Sequence, residues 1–176
     1  MSWYKKKLSV ERFGGLLYSE VLKLSTDFIA NDENYSTYDL DKDKFNTIYI
    51  EVLFLYLSIS ISLLESRTFT DKQLSKIFNL IMDCTEKIFV DYFKLNIEAA
   101  KESSSFLNVR HAQYLKLIEE LQNISGDQLP SLGRIIVSNL RGEETRDALL
   151  ALTAFKHYTT IMQRLSQIIS ELESQM

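Results

Sequence analysis

Apolar residues recur along most of this chain at alternating steps of three and four positions, which is the spacing of a helix that buries one face. The pattern runs through the line Leu74, Phe78, Ile81, Thr85, Ile88, Tyr92, Leu95 and Ala99. It returns in Leu107, His111, Tyr114, Ile118 and Leu121, and again in Ala151, Ala154, Tyr158, Ile161, Leu165, Ile168 and Leu172. These lines predict three long amphipathic helices.

Helix-breaking residues are scarce and confined to a few places. The chain of 176 residues has five glycines and one proline, and the stretch 16–125 has neither. A turn-rich β fold would need such residues about every 8–12 positions. We predict six helices, at about 9–30, 43–66, 70–102, 106–124, 130–142 and 145–173. Between them we expect an acidic loop at 31–44, a break at serines 103–105 and a turn at 125–130.

The expected architecture is all-α, a single-domain antiparallel helical bundle over residues 1–176. The second, third, fourth and sixth helices would form the core, with the N-terminal helix and the short fifth helix packed across it. The length suits one domain. A content of 45% hydrophobic and 25% charged residues is typical of a globular protein.

The most apolar stretch of the chain, 48–64, reads IYIEVLFLYLSISISLL and raises the question of a membrane span. It is shorter than the roughly 20 residues that a spanning helix needs. A polar stripe follows one side of the predicted helix: Lys44, Thr47, Glu51, Ser58, Ser62 and Glu65. We therefore expect the core helix of a soluble bundle, contacted on most sides and wet along this edge.

Charge and cysteine content narrow the class of protein. The net charge is −4, so there is no global electrostatic reason to bind nucleic acid. The single cysteine, Cys84, cannot form an intramolecular disulfide, which fits a reducing compartment. No apolar run directly follows the basic N-terminal residues, so a secretory signal is not indicated. We expect a cytoplasmic protein.

Motifs for catalysis, cofactors or metals are not found in the sequence. A di-iron bundle uses Glu-x-x-His pairs, but Asn108 and Ala154 precede the two histidines, His111 and His157, by three positions. Nucleophile elbows, phosphate-binding glycine loops and dinucleotide fingerprints are also missing. We therefore assign no catalytic residue, no metal ligand and no cofactor, and we expect that the protein is not an enzyme.

Three sets of residues remain candidates for binding. A pocket between helices would be bordered by Glu51, His111 and Tyr114. An anion could be held near the start of the last helix by Arg110, Arg134, Arg141 and Arg146. Aromatic and basic residues at the N-terminus could lie at a membrane interface: Trp3, Tyr4, Lys5, Lys6 and Lys7.

The leading functional hypothesis is a non-enzymatic interaction or adaptor protein that recognises partners through exposed apolar helix faces on its first or last helix. Its partner would be another protein or a second copy, giving a homodimer. The alternative is a bundle that binds an apolar small molecule or lipid between its helices. Peripheral attachment to a membrane through the N-terminus is the third hypothesis, and catalysis at His111 or Cys84 the fourth.

Overall fold

The fold is all-α, as the sequence predicts. The computed structural model describes residues 7–122 and 129–176, and within these it contains no β-strand. The α-helices are α1 (Val10–Ala30), α2 (Asp32–Tyr38), α3 (Phe45–Glu65), α4 (Asp71–Asp91), α5 (Ile97–Gln122), α6 (Leu129–Arg141) and α7 (Ala148–Glu173), with a 3₁₀ turn at Lys42–Lys44. The seven helices in the described part of the chain compare with about six expected.

Side-chain caps explain where several helices begin. Thr70 and Gln73 form a capping box at the start of α4, in which each side chain binds the other residue's backbone N–H. The Asp147 carboxylate accepts hydrogen bonds from the N–H groups of Leu149 and Leu150 and opens α7. The caps satisfy backbone donors that have no partner within the helix.

The central helix is α3, which contacts α1, α4, α5, α6 and α7. All residues from Val52 to Ile61 are buried. The expected wet edge exists only at the ends of the helix: Thr47 and Glu65 are exposed, but Ser58 is 2% exposed. The prediction of a continuous solvent-facing edge is therefore wrong, because α5 packs against the middle of the stripe.

By length and composition, the helical stretch 42–65 could also cross a membrane. The core helix of a soluble protein passes the same test, and 67% of the most apolar window is buried among the other helices. Such burial agrees with the core helix predicted from the sequence.

The position that we predicted for the boundary between the third and fourth helices is wrong. We expected one helix over 70–102 and a break at serines 103–105, but α4 ends at Asp91 and α5 begins at Ile97. Lys94, in the connection between the two helices, has a left-handed φ of 60°, and Asn96 accepts a hydrogen bond from the Ala99 N–H at 2.8 Å. The hydroxyls of Ser104 and Ser105 donate to carbonyls of their own helix, so these serines remain helical.

Two segments that we predicted to be connections between helices also differ in the structure from the prediction. The acidic segment 31–44 contains α2, whose Tyr35 and Tyr38 are buried in the core. Asn31 caps this helix and Asp32 and Glu33 lie in its first turn, where acidic residues are favourable. Of the turn expected at 125–130, residues 125–128 lie outside the described residues, while Leu129 and Pro130 already belong to α6.

The helices α6 and α7 approach each other very closely at Gly133. A Cβ atom at this position would lie 2.7 Å from the carbonyl carbon of Ala151 and 3.1 Å from its Cα. Only glycine allows the two backbones to come so near. The contact fixes the position of α7 beside α6.

Candidate interaction site

Glu51, the first predicted pocket residue, lies in an ion pair. Arg110 of α5 donates from Nε and Nη2 to its two carboxylate oxygens, at 2.8 and 2.5 Å. The side chains of Glu51 and Arg110 are 12% and 26% exposed. Hydrogen bonding to Glu51 raises the pKa of the guanidinium. The pair therefore holds α3 to α5, and it occupies the carboxylate that we assigned to a pocket.

His111, the second pocket residue, faces the core beside Ser58. Its Nε2 lies 3.9 Å from the Glu65 carboxylate, and among the described residues no hydrogen bond of ordinary length and angle reaches Nδ1. Burial lowers the pKa of the imidazole, and the nearby charge of Glu65 and the backbone of Ser58 oppose this in part. The Oγ of Ser58 is also buried without a partner among the described residues.

Tyr114, the third pocket residue, is 3% exposed. Its hydroxyl accepts a hydrogen bond from Nδ2 of Asn139 on α6 at 2.9 Å, and burial raises the pKa of this phenol. Tyr114 and Ser58 border a cleft between α3, α5 and α7 that has no room for a water molecule. Of the three residues, Tyr114 thus borders this cleft, and Glu51 borders the groove described next.

A groove of about 260 Å³ lies on the outer side of the Glu51–Arg110 pair. Its apolar wall is formed by Phe54 of α3 and Phe89 of α4, whose ring centroids are 6.2 Å apart. Phe106 of α5 lines the groove and is 52% exposed. Val109, one turn further along α5, is 57% exposed. We call Phe106, Val109 and this groove the α5 surface.

An aromatic cluster continues from the groove wall. The rings of Phe89 and Phe93 have centroids 5.5 Å apart. Phe93 in turn contacts Tyr92 at 5.0 Å and Tyr49 at 6.3 Å. Tyr92 is 61% exposed. The α5 surface therefore adjoins further aromatic area at the end of α4.

The apolar stripes of α1 and α7 are not available for binding. Phe13, Leu17, Val21, Leu24 and Phe28 of α1 are buried, as is the corresponding line of α7: Ala151, Ala154, Tyr158, Ile161, Leu165 and Ile169. Outside these lines, Leu16 of α1 and Leu149 and Leu152 of α7 are exposed. The two helices chosen as recognition elements thus use their main faces inside the bundle.

The signal that identifies the α5 surface was present in the sequence. The line of Leu107, His111 and Tyr114 was correctly read as the inner face of its helix, since all three are buried or half-buried. A helix turns by about 100° per residue. Phe106 and Val109 therefore cannot share that face, and both point outward.

The four arginines of the predicted anion site have separate environments. Arg110 is paired with Glu51, and Arg141 contacts Asp39 at 3.4 Å and Glu143 at 2.5 Å. Arg134 and Arg146 are exposed. At the N-terminus of α7 the Asp147 carboxylate accepts the backbone hydrogen bonds that an anion would have accepted.

Of the five residues predicted to lie at a membrane interface, only Lys7 is described by the structure, and it is exposed. Trp3, Tyr4, Lys5 and Lys6 lie outside the described residues. Cys84 is half-buried, and burial and then Asp83 raise the pKa of its thiol. No group of three or more His, Cys, Asp or Glu side chains in the described part of the chain could hold a metal ion.

His157 is enclosed by aromatic rings. Its Nε2 lies 2.7 Å from the hydroxyl oxygen of Tyr56, and the rings of Phe28 and Tyr38 contact the imidazole edge-on at 5.3 and 6.3 Å. Burial lowers the pKa of His157. The residue thus links α7 to α3 and α1 in the core, and nothing in this geometry presents it to a ligand.

A second, smaller apolar pocket lies between the C-terminal part of α3 and α4. It measures about 180 Å³ and is lined by Ile61, Leu64, Glu65, Leu74, Ser75, Ile77, Phe78 and Ile81. Glu65 and Ser75 are the polar residues among those that line it. Among the described residues, it is one place where the alternative hypothesis of an inter-helix ligand could apply.

Together, the features of residues 7–122 and 129–176 define an all-α helical bundle with a buried apolar central helix and an exposed apolar surface beside a groove. Comparison of the chain with protein-family models, with curated proteins and with solved structures gives no match in any of the three. A function can therefore be proposed only from the geometry of the described residues.

Proposed function

We propose that this chain is a non-enzymatic interaction protein that binds a protein partner through the α5 surface. The observation that carries the proposal is the pair of exposed apolar side chains, Phe106 and Val109, next to a groove with aromatic walls. Aromatic side chains beside grooves are typical anchors of protein interfaces.

Covering Phe106 would be worth a substantial free energy. A phenylalanine side chain presents about 200 Å², so a residue that is 52% exposed leaves about 100 Å² of apolar area in water. At about 25 cal/mol per Å² this corresponds to about 2.5 kcal/mol on burial. Two ordinary scattered apolar residues would not require an explanation, but here Phe106 lines a concave, aromatic-walled groove and Val109 lies one turn further along the same helix.

The candidate catalytic groups fit this proposal better than they fit an enzyme. A nucleophilic cysteine needs a lowered pKa, whereas the pKa of Cys84 is raised. A general base must reach a substrate proton, whereas His111 faces the packed contact of α3 with α5. Neither of these side chains lines the α5 surface.

Binding of an apolar small molecule is supported less well. Ligand pockets usually measure about 300–1,000 Å³, and the apolar pocket between α3 and α4 has about 180 Å³. Attachment to a membrane through the N-terminus lacks the support of α1, because the apolar face of that helix is buried in the bundle. The chain has a single cysteine, and this composition favours the cytoplasmic location that we propose.

Site-specific photo-crosslinking in the cells that produce the protein tests the proposal. A photoreactive phenylalanine analogue replaces Phe106 in one variant and the exposed Gln163 of α7 in a matched control. The proposal predicts a covalent protein adduct of one discrete mass at position 106 and none of that mass at position 163. Identical adducts at both positions, or no protein adduct at position 106, would refute it.

A further inference from the structure

The pocket of about 180 Å³ between α3 and α4, called the α3–α4 pocket from here on, is apolar at its base and polar at its rim. The side chains of Leu64, Ile77 and Ile81, which line its base, are 3%, 1% and 0% exposed. The rim holds Glu65, whose side chain is 53% exposed, and the exposed Ser75. A molecule in this pocket would therefore contact hydrocarbon at one end and a carboxylate and a hydroxyl at the other.

The volume of the pocket restricts the size of the molecule that it could hold. An apolar cavity of about 150 Å³ lined by Leu, Ile and Phe side chains binds benzene. A volume of about 180 Å³ therefore accommodates a single aromatic ring with a short substituent, and such a ring would contact the half-buried Phe78. A ligand of ordinary size needs about 300–1,000 Å³ and would not fit.

The Glu65 carboxylate at the rim is not neutralised by a neighbouring cation. It accepts no hydrogen bond from the described residues, and the Nε2 of His111 lies 3.9 Å away. Burial lowers the pKa of His111, so this imidazole is neutral in most molecules near neutral pH. Arg67 and Lys76 pair with other carboxylates, and the exposed Lys72 forms no ion pair among the described residues. A positively charged group at the rim would thus find a carboxylate without a cationic partner.

We propose that the α3–α4 pocket binds a small protonated aromatic amine, with its ring against the apolar base and its ammonium group at the Glu65 carboxylate. An ammonium group has several N–H donors, so the Ser75 hydroxyl can accept a second hydrogen bond from it. None of the residues that line this pocket belongs to the α5 surface. The inference therefore goes beyond the function proposed above and does not depend on it.

A ligand of this size is bound weakly. At the binding efficiency typical of very small ligands, we expect a Kd on the order of 1 mM for benzylamine, which consists of a ring with an aminomethyl group. A ligand with this affinity dissociates when the protein is diluted and purified. The site is therefore tested by adding the amine to the purified protein.

Backbone amide chemical shifts, measured by NMR as a probe molecule is added, report both the affinity and the location of binding. Benzylamine is compared with benzyl alcohol, which has the same shape without the charge, and with benzoate, which carries the opposite charge. We expect benzylamine to bind about threefold more tightly than benzyl alcohol, as for a partly exposed ion pair, and at least about tenfold more tightly than benzoate. Equal Kd values for benzylamine and benzyl alcohol, or no saturable shifts at the pocket with benzylamine, would overturn the proposal.

Variants of the pocket residues test the assigned contacts. Glu65→Gln removes the charge with little change in shape, so it should bind benzylamine about threefold more weakly and benzyl alcohol as before. Glu98→Gln on α5 is the matched control, since this exposed carboxylate does not line the pocket, and it should change neither Kd. Leu74→Phe places a larger side chain in the pocket and should abolish the binding of both probes.

Benzylamine binding that is unchanged in Glu65→Gln, or that persists in Leu74→Phe, would overturn the proposal. Glu65→Gln alters a half-exposed side chain, so this variant keeps the test decisive if Leu74→Phe does not fold. Capture of a protein by the photoreactive group at position 106 does not depend on either result. A failure here would therefore leave the function proposed above intact.

Discussion

Substitution of Gly133 by alanine should destabilise the bundle although alanine is the better helix former. In α6 the exchange of glycine for alanine contributes about 1 kcal/mol of helix propensity. The new Cβ, however, would overlap the Ala151 carbonyl oxygen and lie 2.7 Å from its carbon, where carbon atoms in contact are normally about 3.5–4.0 Å apart. The obstacle is backbone, so α6 and α7 must move apart.

The magnitude follows from the difference between these two effects. Overpacking a core costs about 1–3 kcal/mol, and a clash with backbone belongs at the upper end of this range. Subtracting about 1 kcal/mol for helix propensity leaves a net loss of about 2 kcal/mol. In a domain of this size, that corresponds to a decrease in Tm of about 4–8 °C.

Urea denaturation followed by far-ultraviolet circular dichroism measures the effect. With a slope of about 2 kcal/mol per M, the midpoint for Gly133→Ala should decrease by about 1 M. Gly15→Ala is the matched control, since it lies in α1 with no atom within 4 Å of the added Cβ, and it should stabilise by about 0.5–1 kcal/mol. If Gly133→Ala matched the wild type or exceeded its stability, the close packing of α6 on α7 would be refuted.

Three further substitutions test other parts of the structure by the same urea measurement. Glu51→Ala leaves the 26%-exposed Arg110 guanidinium without its carboxylate and should lower the free energy of unfolding by about 2 kcal/mol. A double-mutant cycle with Arg110→Ala should give a coupling energy above about 0.5 kcal/mol. If the effects of the two substitutions were strictly additive, the ion pair would be contradicted. Ser58→Ala removes a buried hydroxyl that has no partner among the described residues and should be neutral or stabilising by up to about 1 kcal/mol, whereas Ser60→Ala, which removes a hydroxyl bonded to its own helix, should not stabilise. Burial lowers the pKa of His157 from 6.5, so the unfolded chain binds the proton more tightly, and the free energy of unfolding should decrease as the pH falls below about 6.5. The His157→Gln variant should lose part of this pH dependence. An unchanged pH profile in this variant would contradict the buried imidazole.

The central helix was the element that could best be predicted from the sequence. Residues 48–64 contain one charge, and the absence of glycine and proline on either side left a helix as the only regular element of sufficient length. What could not be predicted was which part of its polar stripe would be covered. Ser58 is buried because α5 lies across it, and this contact joins residues that are far apart in sequence.

The junction of α4 and α5 could not be located by periodicity. The apolar line that begins at Leu74 continues through Tyr92 and Leu95 to Ala99 without interruption, although the chain leaves the helix at Asp91. A left-handed Lys94 is not indicated by its residue type, since glycine or asparagine is usual at such a position. Asn96, whose side chain caps the start of α5, is a residue type that favours a helix start, but the three serines at 103–105 led us to place the break there instead.

The candidate site was predictable only in part. The inner face of α5 could be identified from the spacing of Leu107, His111 and Tyr114, and with it the outward direction of Phe106 and Val109. The groove beside Phe106 could not, because it requires Phe54 and Phe89 from two other helices to lie next to α5. The pairing of Glu51 with Arg110 likewise depends on tertiary packing.

Native mass spectrometry of the protein isolated, with its bound partners retained, from the cells that produce it tests most directly whether the α5 surface binds protein. A single spectrum reports both the number of subunits and any retained small molecule. We expect a species in which the chain retains one further protein chain and no small molecule, and its loss in Phe106→Ser but not in Leu152→Ser, which changes an exposed residue of α7. Single chains that carry a retained apolar molecule, with no two-chain species, would contradict the account.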